Sequence, residues 1–372
     1  MHLLRQLLIL ILILLSGLTA SCGLIEDDAL PPCEQGVYLR FRYDRNLERA
    51  NMFPDHVGGV SVYIYDEQGK FVKKAEQYKV NEVSPFKVEG YSMYLDLPVG
   101  RYQYIVLANQ KRYANTLLTP GAKQRINEPA PGDDITALRV DLDHADSPNA
   151  DGFYPVENAG MPLDTLWHGM TPRPVEVQFE KVTGDTIYLT RDTKQINVTL
   201  RDIELPTDID VADFDFRIVD RNAAIRYNND VDESLPVLYT PFSTWNTTDR
   251  NVTPSVPAAT ADDSGSGTPT VTGRIAHAAF MTSRILYHDE AAEDAQLIVR
   301  NRKTGVEIIR VNLADLLSRL RSNADRYYTP QEFLDRGYDY NLTFFLQGNR
   351  WKYVNVEISA LSWAHRVQHE DL

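Results

Sequence analysis

Cysteine is scarce in this sequence, which limits how the chain can be cross-linked. The 372 residues include two cysteines, Cys22 and Cys33, both close to the N-terminus. A disulfide framework or a thiolate zinc cluster needs several cysteines at suitable spacings. The sequence therefore predicts no cysteine metal site, and no internal disulfide once Cys22 is modified as argued below.

Signature motifs of common enzymes are missing as well. The sequence has no G-x-S-x-G nucleophile elbow, no H-E-x-x-H zinc motif, no Walker loop and no G-x-G-x-x-G dinucleotide motif. The eight histidines are scattered, and His277 and His288 lie eleven residues apart without a second His or a Cys beside either. Carboxylates are abundant, but spacing alone identifies no glycosidase pair among them. We therefore predict no catalytic residue, no metal ligand, no small-molecule substrate and no enzymatic activity.

Basic residues are fewer than acidic ones. The chain has 38 Lys and Arg against 52 Asp and Glu, which gives a formal net charge of −14. Such a chain is repelled by nucleic acids and by anionic membrane surfaces. The composition therefore argues against a DNA- or RNA-binding function.

Long apolar runs are absent apart from one at the N-terminus. Residues Leu7 to Leu15 are all Leu or Ile, Arg5 precedes them, and small residues follow. A membrane-spanning helix needs about 20 apolar residues, whereas this run is much shorter. The pattern is that of a secretory signal peptide, and we expect residues 1–21 to be removed on export.

The residue that follows this predicted signal peptide is Cys22. Small residues before a cysteine let a lipoprotein signal peptidase act once the thiol carries diacylglycerol. We therefore expect lipidation at Cys22, with covalent diacylglycerol and an N-acyl chain and no other cofactor. Each buried methylene contributes about 0.8 kcal/mol, so three chains hold a protein firmly in a membrane. Thr19 stands where such sites prefer Leu, and ordinary cleavage beside a chance cysteine is the alternative.

Short alternating strands are predicted after an acidic tether at residues 22–34. Val37, Leu39, Phe41 and Tyr43 share one face of the first predicted strand. Twenty tyrosines and little helical periodicity before residue 310 favour an all-β body. We expect hairpins with turns at 67–69 and 98–100, followed by a loose, acidic segment at 132–169.

The strand pattern restarts near residue 183, with strands predicted at 186–190 and 195–203. We therefore place an N-terminal β-sandwich domain at 35–183 and a C-terminal one at 184–372. Asn312 and Thr329 are predicted N-caps of two short helices, of which the second has Pro330 at its first position. Gly337 is expected to end that helix, and the C-terminal residues return to strand patterns.

Several stretches occur in an order that resembles one known family. The stretch CEQGVYLRFRYDRN is followed by ANMFPDHVGGVSVYIYDEQGKFV, which combines a Cys, a Gly-Val strand, a Tyr-Asp-x-Asn turn and a hairpin. After it come LPVGRY, LDTLWHG, LTRDTKQINVTL, NLADLL, QEFLDRGYDYNLTFFL and ISALSWAHRVQHEDL. Together they resemble the FimB/Mfa-type fimbrial anchor subunits of Bacteroidetes type V pili over nearly the whole mature chain.

The resemblance implies both a fold and a function. It implies two tandem transthyretin-like β-sandwich domains, with short helices in the second. It implies a surface-exposed outer-membrane lipoprotein at the base of fimbriae, with two partners: pilin subunits of the shaft, and the membrane through the lipid. In related pilins, subunits join by β-strand exchange, in which a neighbour's strand fills a groove left by proteolysis.

Two strands of this chain are candidates for that exchange. The first strand, with Val37, Leu39, Phe41 and Tyr43, would stay in place if tethered at Cys22, so that its groove accepts no further subunit. The terminal strand at 360–368 is the proposed donor, with one face formed by Leu361, Trp363, His365 and Val367. Alternatively, this last strand only completes its own domain.

Two other functions stay open at this point. Cleavage after Arg40, Arg42, Arg45 or Arg49 would make the chain an accessory or shaft subunit instead. A glycan-binding surface lipoprotein would need exposed aromatic side chains, for which Trp245, predicted in a loop, is the candidate.

Overall fold

The computed structural model describes residues 35–80, 83–204, 208–249, 273–290, 294–321, 325–348, 350–358 and 366–371. Within these residues the strands form five sheets, which pack into two β-sandwiches. No helix of this described part has the length and apolar character that a membrane span requires.

The strands of the N-terminal part are short and closely spaced. In chain order they are β1 (Gly36–Arg42), β2 (Gly59–Tyr65), β3 (Phe71–Tyr78), β4 (Met93–Asp96), β5 (Gly100–Asn109), β6 (Gln124–Asn127), β7 (Arg139–Leu142), β8 (Tyr154–Pro155), β9 (Leu166–Met170), β10 (Val175–Val177), β11 (Val182–Tyr188) and β12 (Thr190–Arg191). Two one-turn helices accompany them, α1 (Phe53–His56) and α2 (Tyr113–Thr116), with 3-10 turns at Pro85–Lys87 and Ile135–Ala137.

The C-terminal part adds longer strands and two capped helices. The strands are β13 (Lys194–Asp202), β14 (Phe214–Asp220), β15 (Ala224–Arg226), β16 (Val231–Asp232), β17 (Val237–Tyr239), β18 (Ser243–Asp249), β19 (Gly273–Thr282), β20 (Gln296–Asn301), β21 (Glu307–Asn312), β22 (Asp339–Gln347), β23 (Arg350–Ile358) and β24 (Arg366–Asp371). The helices are α3 (Leu313–Ser318) and α4 (Pro330–Arg336), and a 3-10 turn lies at Val211–Asp213.

The first sandwich packs a three-stranded sheet on a larger one. The small sheet has the order β11-β1-β4, and the larger has the order β12-β9-β5-β2-β3, with β10 added to β5. Successive strand residues point to opposite faces, so every second side chain enters the space between the sheets. Leu39 of β1, Val62 of β2 and Val106 of β5 meet there without exposed surface.

A third layer covers the other face of the larger sheet. Tyr63 and Leu107 lie on that face and belong to one cluster with Val140 of β7 and Ile225 of β15. The covering sheet has the order β16-β15-β7-β6, so it combines strands from both halves of the sequence. This layer explains why every residue of β2 is buried.

The second sandwich contains the other two sheets. A sheet in the order β18-β19-β13-β22-β23-β24 faces one in the order β21-β20-β14-β17-β8. Val198, Phe280 and Leu342 from the first sheet pack with Ile218 and Leu297 from the second. The predicted fold class is confirmed: the chain is all-β, with two tandem sandwiches and α3 and α4 in the second.

The predicted boundary at residues 183–184 falls inside β11. Val182 to Tyr188 pair in one continuous register with Gly36 to Arg42, so the whole of β11 belongs to the first sandwich. In addition, β8 pairs with β17 and β7 with β15, so two sheets combine strands from both halves of the sequence. An alternating pattern identifies a strand but not the sheet that it joins.

Local signals at turns and helix ends are confirmed. The hairpin of β2 and β3 turns through Gly69, whose φ of 72° lies in the left-handed region that glycine tolerates. Asn312 caps α3 by accepting a hydrogen bond from the Asp315 N–H. Thr329 caps α4 by accepting from the Glu332 N–H, Pro330 is its first residue, and Gly337 is the C-cap.

The turn predicted at 98–100 does not close a hairpin. It leads from β4 in the small sheet to β5 in the facing sheet. From Tyr104 to Asn109, β5 is buried on both faces, so it takes a central place between β2 and β9. Strand β4 is exposed on one face and pairs with β1 instead. The two strands were predicted correctly, and their pairing was wrong.

The segment at 132–169 is more regular than its composition indicates. It contains β7, β8 and most of β9, and β9 lies between β5 and β12 in the larger sheet. Trp167 on β9 has no exposed surface. The prediction of a loose segment was wrong, because the three strands are short and the connections between them are rich in Asp, Asn and Pro.

Candidate functional site

The first strand is a central strand of its sheet. Val37, Leu39 and Phe41 of β1 point into the first sandwich and are exposed by 0%, 0% and 5%, and Tyr43 just after the strand is fully buried. These four residues are the ones predicted to share its inner face. β1 pairs in parallel with β11 along its whole length and antiparallel with β4 from Gly36 to Leu39.

The N-terminal end of β1 is built on a close backbone approach. Gly36 has a φ of 148°, and a Cβ placed there would lie 2.3 Å from the Leu95 carbonyl oxygen of β4. Just before it, the Gln35 side chain donates to the Leu97 carbonyl, and the Gln35 carbonyl accepts from the Tyr94 hydroxyl. Only glycine fits at this position, which explains the Gly-Val start of the strand.

The loop that follows β1 is closed by two asparagines. The buried Asn46 amide donates to the Tyr43 and Ala50 carbonyls, at 2.8 Å each. The Asn51 side-chain oxygen accepts from the Tyr43 N–H at 2.9 Å. The Tyr-Asp-x-Asn stretch noted in the sequence is therefore the turn that fixes the end of the first strand.

The four arginines that were considered as cleavage sites differ in accessibility. Arg40 and Arg42 lie within β1, where their main chain is paired with β11. Arg45 is exposed in the loop, with its guanidinium 5.6 Å from the Tyr188 ring. Arg49 has a φ of 55° and reaches the buried Asp325 of the second sandwich.

The end of the first strand is linked to the second sandwich by stacked side chains. The Tyr43 ring meets the Trp167 ring edge-on, with centroids 5.8 Å apart. The Arg191 guanidinium lies 5.8 Å from the Trp167 ring and 4.3 Å from the Tyr338 ring, just before β22. A change at the end of β1 would therefore disturb both sandwiches.

Beside these side chains lie two buried ionic residues, Asp192 and Lys194, that were not predicted from the sequence. The Lys194 ammonium donates to the carbonyls of Arg191, Asp335 and Gly337 at 2.8–3.1 Å, which uses its three donors. Burial raises the pKa of Asp192 and lowers that of Lys194. The signal was present, because Lys194 is in phase with the inward face of β13.

The C-terminal end lies at a sheet edge. β24 pairs with β23 alone, from Arg366 opposite Ile358 to Asp371 opposite Tyr353. Of the proposed donor residues, Leu361, Trp363 and His365 lie outside the described residues, and for Val367 only the backbone is described, opposite Glu357. The lipidation candidate Cys22, the signal peptide and the tether with Cys33 also lie outside them.

Trp245 lies on β18, at the opposite edge of the same sheet, and the predicted loop was wrong there. Its ring is 42% exposed and stacks on His277, with centroids 5.2 Å apart and planes 13° from parallel. Both nitrogens of His277 are hydrogen-bonded, to Thr199 and Thr247. Burial lowers the pKa of His277, and Arg201 nearby adds to the effect. Trp245 thus offers one ring face to solvent.

Metal-binding side chains are not grouped in the described part of the chain. No three His, Cys, Asp or Glu side chains come together there in a way that could hold an ion.

Comparisons with known proteins identify what this arrangement resembles. The family model for "Fimbrillin-A associated anchor proteins Mfa1 and Mfa2" matches residues 30–369. A candidate adhesin from Bacteroides thetaiotaomicron shares 27% identity at a TM-score of 0.69, covering 91% of this chain and 100% of its own. A candidate polysaccharide-binding protein from the same bacterium shares 23% identity at a TM-score of 0.63, covering 90% and 98%.

The fimbrial anchor protein Mfa2 from Porphyromonas gingivalis has the same fold. It shares 16% identity at a TM-score of 0.54, with 86% of this chain and 96% of that chain covered. A search of curated proteins finds no match.

Proposed function

The chain belongs to the family of fimbrillin-A-associated anchor proteins, and on this premise we propose that it anchors a fimbria to the outer membrane and ends its growth. Family membership assigns it to the fimbrial proteins of the cell surface, which associate with other fimbrial subunits. The proposal adds how each end of the chain contributes: a lipid at Cys22, a retained first strand, and a donor strand at the C-terminus.

The observation that carries the proposal is the position of β1. Fully burying a Val, Leu or Phe side chain contributes about 1.5–3 kcal/mol, so Val37, Leu39 and Phe41 together contribute on the order of 5–9 kcal/mol. That approaches the whole stability of a typical domain, about 5–15 kcal/mol. A first strand held this firmly keeps its groove filled, so the subunit offers no place for a further donor strand.

Retention of β1 is supported by the chain around it. A protease needs an accessible, extended stretch, whereas the backbone at Arg40 and Arg42 is paired inside a sheet. The next stretch is held by the Asn46 and Asn51 side chains. Cleavage into a shaft or accessory subunit would therefore require local unfolding at the first two sites.

The C-terminal edge is where we place the contact with the pilin. β24 has one neighbour, so it can leave its sheet at a lower cost than a strand with two. In the proposed exchange, the terminal strand at 360–368, whose last three residues are the first three of β24, adds to the open groove of a pilin. Main-chain hydrogen bonds would supply the affinity, and the Leu361, Trp363, His365 and Val367 side chains would fill alternate pockets.

The lipid at Cys22 completes the proposed anchor. An extended chain spans at most about 3.3–3.6 Å per residue, so the stretch from Cys22 to Gln35 can reach about 45 Å. The acidic residues of the tether are repelled by an anionic membrane surface. The first sandwich would then be held outside the membrane with β1 as its point of attachment.

Replacing Cys22 with alanine in the native bacterium tests this function. The Cys22→Ala variant should lose its acyl chains, and fimbriae should then appear in the culture medium instead of on cells. Immunoblots of medium and cell pellets, with electron microscopy of both, measure the distribution. The Cys33→Ala variant is the matched control, because it removes the other cysteine and should leave fimbriae on the cells.

The result can contradict the proposal in a simple way. Fimbriae that stay attached to cells carrying Cys22→Ala would show that this chain does not hold them. Release in both cysteine variants would show that the effect does not depend on a lipid at Cys22.

A further inference from the structure

A cleft opens beside the outer face of the first strand and is also lined by Met170 of β9, in the facing sheet. Its walls come from Tyr38 and Arg40 of β1, Gly184 and Tyr188 of β11, and Arg45 of the following loop. Its volume of about 580 Å³ lies within the range of small-ligand sites. β1 therefore serves two surfaces, because its inner face fills the core and its outer face forms this cleft.

The cleft concentrates positive charge on an acidic protein. Within the described part of the chain, neither Arg40 nor Arg45 forms an ion pair with a carboxylate. Arg42, two residues along the same strand, is instead neutralised by Asp44 at 2.8 Å. Two guanidinium groups without a carboxylate partner favour an anionic ligand, since their planar donors match a carboxylate or phosphate.

The other groups in the cleft distinguish between these anions. Asp185 also lines the cleft, and one of its oxygens accepts the Thr186 N–H at 2.8 Å. Its negative charge repels a multiply charged phosphate more than a singly charged sugar carboxylate. Tyr188 is 42% exposed, and the Arg45 guanidinium lies 5.6 Å from its ring, which leaves the other face of the ring for the C–H face of a sugar.

We propose that this cleft binds an acidic saccharide. The sugar carboxylate lies between Arg40 and Arg45, and its ring packs on Tyr188. A peptide strand would instead dock along a free strand edge. β11 is an edge strand of its sheet, but the cleft is lined by side chains: Tyr38 and Arg40 on the face of β1, which is paired on both sides, and Arg45 in the following loop.

The proposal goes beyond the anchoring function, because it needs neither a fimbria nor a lipid. It shares with that function the requirement that β1 is in place. The intact mass of each sample shows whether β1 has been cut, so a failure of strand retention is visible separately from a failure of binding.

Isothermal titration calorimetry of the full-length protein in a non-ionic detergent tests the site. The acidic probes are tetragalacturonate, a hyaluronan tetrasaccharide and 3′-sialyllactose, and the neutral probe is maltotetraose. We expect at least one acidic probe to bind and the neutral probe not to bind. Arg40→Gln and Arg45→Gln should each weaken that binding by about tenfold or more, because each removes a charged hydrogen-bond donor.

Two further variants separate the cleft from general effects. A Cβ at Gly184 would meet no atom within 4 Å, so Gly184→Leu fills the cleft without disturbing the sheet and should also weaken binding by about tenfold or more. Arg42→Gln is the matched control: it removes the same charge from the same strand, and binding should change by less than about twofold.

Several results would overturn the proposal. The proposal is wrong if no acidic probe binds, if maltotetraose binds equally well, or if binding is unchanged in Gly184→Leu. Displacement of the sugar by inorganic phosphate at equal concentration would identify a phosphate site instead. Loss of binding in Trp245→Ala with full binding in Gly184→Leu would move the site to the edge of the second sandwich.

Discussion

The substitution Leu39→Ala tests whether packing holds the first strand in its sheet. Leu39 has no exposed surface and lies in the core between the two sheets of the first sandwich. Truncating a buried leucine removes transfer free energy and leaves a cavity, at a cost of about 2–5 kcal/mol. Leu118→Ala makes the same chemical change where the side chain is 82% exposed, and should cost less than about 0.5 kcal/mol.

Trypsin cleavage after Arg42 reports directly on the release of β1. That residue is paired with Tyr188, so its peptide bond is accessible only when the strand has left the sheet. When opening and closing are fast relative to cleavage, the rate follows the population of the open form. A loss of 2 kcal/mol, the lower bound, therefore speeds cleavage by about 30-fold.

The measurement combines native-state proteolysis with urea unfolding. Mass spectrometry follows the fragment that ends at Arg42 in the wild type, in Leu39→Ala and in Leu118→Ala. Equal cleavage rates in the two variants would contradict the view that Leu39 secures β1. Wild-type cleavage as fast as that of the urea-unfolded chain would show that β1 is not held at all.

Two further predictions concern stability in the second sandwich. Partial burial opposes the charge on His288, but hydrogen bonds with Asp294 and Glu233 outweigh it and raise its pKa. This stabilisation is therefore complete below about pH 6.5 and is lost as the pH rises through the raised pKa of His288. His288→Gln should lower Tm at pH 5.5 more than at pH 9. An equal loss of Tm at both pH values would contradict this prediction. Thr329→Ala removes the cap of α4 and should lower the free energy of unfolding in urea by about 1 kcal/mol. Thr329→Ser keeps the hydroxyl and should lower it by less. Equal losses of stability in the two variants would contradict this prediction.

Features that depend on neighbouring residues could be predicted from the sequence. The inner face of β1 follows from alternation, and the caps Asn312 and Thr329 follow from the residues beside each helix start. Thr329 and Glu332 have the spacing of a capping box, which is only half formed: the Thr329 hydroxyl accepts from the Glu332 N–H, whereas the Glu332 carboxylate accepts from Arg336 one turn on. Even local motifs therefore compete with side-chain pairs along the same helix.

Features that depend on distant pairing could not be predicted. The turn at 98–100 joins two facing sheets because β5 is buried on both faces and lies in the centre of the larger sheet. No residue near Gly100 indicates that position. The third layer pairs β7 with β15, which lie far apart in the chain. Lys194 is buried because three carbonyls converge on it, two of them from the end of α4 and the residue after it.

The outer cleft was missed for a similar reason. Arg40 and Tyr188 belong to separate stretches, and only the parallel register of β1 and β11 brings them together. Gly184 lies outside the strand predicted at 186–190, and only the structure places it within β11, where a side chain is expected.

The parallel pairing of β1 and β11 also has a mechanical consequence. A pull on Gln35 along the axis of β1 slides that strand past its partners and loads their main-chain hydrogen bonds simultaneously. A pull across the sheet would break the same bonds one after another, at lower force. At the far end of the strand, Tyr43 is packed against Trp167 and opposes the sliding. An attachment through this strand would resist shear from flowing liquid best when tension runs along the strand.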